Sequence, residues 1–134
     1  MRYEVDVHSH RPVVLYRVDG DGEREVVAQL LADLTERFER AQAPLRLLFD
    51  FTEVRLFDSS LRRQVAAWRG KNRALMQASI DAVAYVITSP LVRGYLTAVN
   101  WLRPLGRPTK VFAELDAARA WLDEVAAEPQ NLGP

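Results

Sequence analysis

The 134-residue chain contains no cysteine. Disulfide scaffolds, thiolate nucleophiles and cysteine-bound zinc are thereby excluded, and a reducing compartment suits it. Net charge is missing too, because Lys plus Arg and Asp plus Glu each number 18. No uniform field therefore draws in nucleic acid or an anionic membrane. No stretch approaches the ~20 apolar residues needed to span a bilayer, and the first ten residues lack the apolar core of a secretion signal. The expectation is a cytoplasmic protein with no nucleic-acid partner and no membrane span. The 6 glycines are scattered, so none of them builds a phosphate-cradling loop.

Histidine is nearly absent. His8 and His10 stand two apart, and with Asp6 they would share one strand face in a metal-like pattern. A polar strand end is the preferred reading, so neither a metal nor a cofactor is expected. A Ser/His/Asp triad would have to recruit one of these same two residues, and there is no Gly-x-Ser-x-Gly elbow for a nucleophile. The chain is accordingly expected not to be an enzyme. Asp19, Asp21 and Glu23 mimic the start of a calcium loop, but its twelfth position is Leu30 inside a helical stripe. A turn is the better reading.

What the chain does have is enough apolar sequence, 49%, for one real core. Residues 1–127 read as a single domain and 128–134 as a flexible tail. Residues 2–8 alternate polar and apolar, as a half-buried strand does, and 12–18 form a second strand joined to it in an antiparallel hairpin. Residues 23–40 carry Val27, Leu30, Leu31, Leu34 and Phe38 at helical spacing. The short apolar run 45–51 reads as a buried strand, and Asp58-Ser59-Ser60 then supplies the oxygens that a helix start needs. One helix is expected over 59–77, with Gly70 its weak point. Residues 80–88 form another interior strand. Ser89-Pro90 opens the next helix, Pro standing where its missing amide proton costs nothing. A short strand at 110–113 and a final helix complete an α/β fold: a mixed, mostly parallel sheet of about five strands with four helices.

The best candidate site lies above the carboxyl end of the 45–51 strand, the edge that carries function in open α/β sheets. It comprises Asp50, Asp58, Ser59 and Ser60. A helix cap is the plain reading, and a phosphorylation switch at Ser59 the sharper one. A phosphate there would meet a helix N-terminus, with Arg62 and Arg63 in reach. The basic run Arg62, Arg63, Arg69, Lys71 and Arg73 has no set of aromatic platforms beside it and reads as a solvated helix face rather than a nucleic-acid site.

The segment LLFDFTEVRLFDSSL resembles the signature of the STAS family, the SpoIIAA-like anti-sigma-factor antagonists. In that pattern an aliphatic strand ending in Asp-Leu leads to Asp-Ser-Ser-Gly-Leu-Gly, and the phosphorylated serine follows the loop aspartate. The corresponding residue here is Ser59, between Asp58 and Ser60; Leu61-Arg62-Arg63 replaces Gly-Leu-Gly. Further likeness runs through AYVITSPLVRGYLTAVNWL and KVFAELDAARAWL to the Ala118, Trp121 and Leu122 helix. The resemblance implies a non-enzymatic regulatory module that docks a protein partner through Asp58, Ser59, Ser60, Arg62 and Arg63. A serine kinase or an anti-sigma-type regulator is the implied partner, and a second copy of the chain is a further candidate. The alternative is a carrier or sensor of a small apolar or lipid-like ligand, held by Tyr95, Trp101 and Phe112.

Overall fold

A computed structural model describes the backbone of residues 2–6, 13–18, 24–54, 58–102 and 106–127, and the side chains of 13–18, 24–54, 58–97 and 106–125. The metal-like spacing of His8 and His10, the turn at 19–22 and the tail at 128–134 lie outside the described residues. In chain order the elements are β1 (Arg2–Asp6), β2 (Val13–Arg17), α1 (Arg24–Arg40), β3 (Leu45–Asp50), α2 (Ser59–Lys71), α3 (Arg73–Ser79), β4 (Ile80–Val86), α4 (Pro90–Leu102), β5 (Thr109–Phe112) and α5 (Leu115–Ala127). No helix among the described residues is long and apolar enough to cross a membrane.

The strands lie in the order β1-β2-β3-β4-β5, with β2 to β5 parallel and β1 antiparallel on β2. Each parallel step therefore moves one place in the same direction. Right-handed crossovers then put every connecting helix on one face. That face is the larger core, where Val14, Leu47 and Val83 meet Leu31 and Leu34 of α1, Leu61 of α2, Met76 of α3 and Val92 of α4. The helix after β5 folds back over the opposite face, where Ala118 and Leu122 of α5 pack on Leu15, Leu48, Ala82 and Ala84. The two alanines offer little side chain, which lets α5 lie close over β4. Alternation along each strand thus feeds two separate cores.

Two polar contacts tie helices to the sheet. The fully buried Tyr16 donates its hydroxyl to the Asp33 carboxylate, which also accepts from Arg37 Nε at 2.8 Å. Burial first, and the Asp33 contact second, push the Tyr16 phenol far above its usual range, so it stays a donor. On the other face Arg46, 1% exposed, donates to the Leu122 carbonyl at 3.3 Å and lies 3.7 Å from Asp123 Oδ1. A cation at the second position of β3 thus anchors α5, within a run whose length and bounding turns read as a buried strand.

The segment expected to form one helix over 59–77 forms two, so the described residues contain five helices rather than four. The break is Asn72, at φ −110° and ψ 18°. Its backbone N–H and its side-chain Nδ2 both donate to the Trp68 carbonyl at 2.9 Å. A short side-chain amide competing for a helical carbonyl closes one helix, and the next begins directly after it. Gly70, two residues earlier, stays helical and exposed, and a Cβ added there meets nothing within 4 Å. Gly70→Ala is therefore expected to stabilise the protein by about 0.5–1 kcal/mol, read as a raised urea midpoint with unchanged slope. A loss of stability would place Gly70 in a non-helical or contacted position.

Candidate functional site

At the carboxyl edge of the parallel strands, Asp50 closes β3. It is 4% exposed and faces Arg17 across the β2–β3 register. Arg17 Nε donates to Asp50 Oδ2 at 2.9 Å, while the Thr52 amide and hydroxyl donate to Oδ1 at 3.1 and 2.7 Å. Burial works to raise the carboxyl's pKa, but the Thr52 bonds and the Arg17 guanidinium outweigh it and hold Asp50 below its usual range. The loop leaving β3 is fixed further by Phe51 N–H donating to the Val86 carbonyl at 2.9 Å and by Thr88 Oγ1 donating to the Thr52 carbonyl at 3.1 Å. Asp50 is a structural acid whose oxygens are already spent.

Beyond that loop, Asp58 caps α2. Its backbone is extended, at φ −68° and ψ 169°, and its carboxylate accepts the Leu61 N–H at 2.9 Å. The acid rather than either serine supplies the cap, so Ser59 and Ser60 are the first two residues of the helix itself. Ser59 is exposed and Ser60 half-buried. Leu61, where the family signature has glycine, turns inward and is 3% exposed, which seats the helix start on the core. Arg62 and Arg63 point to solvent. The Arg62 guanidinium stands 5.4 Å from the centre of the Tyr95 ring on α4, a cation–π contact that holds the arginine over the α2–α4 seam.

The five residues singled out in the sequence therefore lie together at one helix start, Asp58 as its cap and Ser59, Ser60, Arg62 and Arg63 in its first turns. The three aromatic residues of the alternative reading are not. Tyr95 is half-buried beside Arg62. Phe112 pairs in register with Val86 and faces α5, 5.7 Å from the Trp121 ring on the second face of the sheet. The Trp101 side chain lies outside the described residues. Sequence reasoning missed Arg17 as the partner of Asp50, and only the order of strands brings the two side by side. It also missed an apolar cavity on the larger-core side, lined by Phe49, Tyr85 and Arg69 among others.

A solved structure of an uncharacterized protein with a SpoIIAA-like fold, from Shewanella loihica, matches with a TM-score of 0.69 at 17% sequence identity, over 90% of this chain and 92% of that one. At that identity the likeness is one of fold. No curated protein matches the chain. The family model for SpoIIAA-like proteins matches residues 13–123, from the start of β2 into α5. Strands β2 to β5, helices α1 to α4 and the capped serine pair all fall inside that span, and the chain belongs to the SpoIIAA-like family.

Proposed function

We propose that the protein is a non-enzymatic regulatory module that docks a protein partner at the start of α2, through Asp58, Ser59, Ser60, Arg62 and Arg63. The observation that carries this reading is the division of labour at the helix start. Asp58 is consumed by the cap and Leu61 by the core, which leaves the Ser59 hydroxyl and two guanidinium groups facing solvent. An exposed hydroxyl at the first position of a helix, beside cations, is chemically suited to recognition. A phosphate placed on it would add about two negative charges where free amides, the helix dipole and Arg62 favour them. The neighbouring Asp58 carboxylate would oppose part of that gain, so phosphorylation changes the charge of the docking surface rather than simply strengthening it.

The test compares partner sets captured by the immobilised full chain. Reversing both charges in Arg62→Glu/Arg63→Glu should remove the partners retained by the unsubstituted protein, while Glu124→Lys on α5 should retain them. Ser59→Asp and Ser59→Ala should differ from each other. Identical partner sets across all four variants would retire the docking surface, and identical sets for the two Ser59 variants would retire the switch.

A further inference from the structure

Three neighbouring strands place rings in register on the larger-core face: Tyr16 on β2, Phe49 on β3 and Tyr85 on β4. Phe49 stacks on Tyr16 at 5.7 Å and on Tyr85 at 5.3 Å, with planes 17° and 18° apart. Phe51 leans on both Phe49 and Tyr85, at 5.6 and 6.1 Å. Over this aromatic floor the helices do not close completely, leaving a cavity of about 120 Å³ roofed by α1, α2 and α4, with Leu31, Trp68 and Leu96 in its walls. Arg69 of α2 is the one charged residue among the described residues that line it. Arg69 of α2 and Leu96 of α4 are only partly buried, so the cavity approaches solvent between these two helices.

Size and charge together define what fits. An apolar cavity of roughly 150 Å³ stays dry and takes up one benzene ring, so a space of this order suits a ring-sized body and is far too small for a long acyl chain. A planar guanidinium at its rim is matched by a carboxylate, which it can hold through two parallel hydrogen bonds. The geometry points to a binding site for a small flat carboxylate, its ring lying over Phe49 and Tyr85 and its acid group at Arg69. Burial raises the Tyr85 phenol's pKa, against the opposing pull of Arg69, so its hydroxyl stays protonated and can donate to the same acid group. The site goes beyond the docking surface proposed above and differs from a lipid-carrier pocket in both lining and capacity.

Methyl-detected NMR titrations of the full chain with toluene and with benzoate test the site. Both probes should shift the methyl groups of Leu31, Leu47 and Leu96, and neither should act chiefly on exposed Leu91. Arg69→Gln should weaken benzoate by about tenfold or more while leaving toluene within about twofold, because only benzoate loses a charged hydrogen-bond partner. Val83→Phe, which fills the cavity floor, should abolish both. Should that variant fail to fold, the Arg69→Gln comparison decides alone. Silence of the lining methyls toward both probes overturns the site; equal weakening of both by Arg69→Gln, or undiminished benzoate binding, overturns the carboxylate assignment. No partner protein is present in these titrations, so their failure leaves the docking surface standing, and failure of the capture experiment leaves the cavity standing.

Discussion

Phe49→Ala is expected to cost about 3–5 kcal/mol, the usual range for deleting a buried aromatic side chain. The residue is 7% exposed and is the only one of the stacked rings that touches all three others, Tyr16, Phe51 and Tyr85. Each aromatic pair contributes about 0.5–1.5 kcal/mol beyond its buried area, so the loss falls toward the upper end. The new void would also join the cavity above it, where the surroundings already fail to close, and relaxation would recover little. Against a total stability of about 5–15 kcal/mol this is a large fraction, and the melting temperature should fall by more than about 10 °C. Phe49→Leu keeps most of the volume and loses the stacking, so about 1–2 kcal/mol is expected. Urea unfolding of the two variants measures both. A loss below about 1 kcal/mol for Phe49→Ala would mean that the rings do not form one packed row.

The importance of Phe49 is only half visible in the chain. That 45–51 is a strand can be read from its length and its bounding turns, and that Phe49 shares a face with Leu47 from simple alternation. That it stacks between two tyrosines depends on the strand order and on a register in which Tyr16, Phe49 and Tyr85 align. Nothing local in the sequence encodes either. The same gap explains Phe112. Chosen to line a pocket between helix and sheet, Phe112 points with Val86 toward α5, while its neighbour Val111 pairs with Tyr85 on the cavity side. Parity along β5 could have separated the two faces once the strand's partner was known.

The start of α2 was more legible, because capping is a local interaction. An acid followed by two serines and an amphipathic run marks a helix N-terminus wherever it stands, and the carboxylate of Asp58 does accept the Leu61 amide. The end of that helix was not legible. Apolar spacing continues through Leu75 and Met76, so the period alone carries the helix past Asn72, where the backbone breaks and the side chain shares the Trp68 carbonyl with its own backbone N–H. Periodicity reports which face is buried. It does not report a side chain that competes for one backbone acceptor.

Asp50→Ala should cost about 2–3 kcal/mol at neutral pH, and the size of that cost should depend on pH in a defined direction. Removing the carboxylate strands three donors: the Thr52 amide, the Thr52 hydroxyl and the Arg17 guanidinium. Losing the acceptor for a desolvated donor costs about 1–3 kcal/mol. Arg17 is 38% exposed and regains water, so its share is the smaller one. Because the folded protein holds this carboxyl below its ordinary value, the unfolded chain takes up the proton first as pH falls. The charge-dependent part of the stability is therefore fully present above an unfolded pKa of about 3.9, and it fades as pH drops through the lower folded value. Asp50→Asn separates charge from shape: it keeps one acceptor oxygen and does not titrate. The gap in urea midpoint between the unsubstituted protein and Asp50→Asn should hold steady from pH 7 to about 5 and narrow below about 4. A gap that stays constant down to pH 2.5, or widens there, would show that the ionised carboxylate is not what fastens the loop after β3. That loop delivers the chain to Asp58, so the same variant should raise amide exchange at the first turn of α2. The rigidity of the proposed docking surface would then be traced to a buried acid outside it.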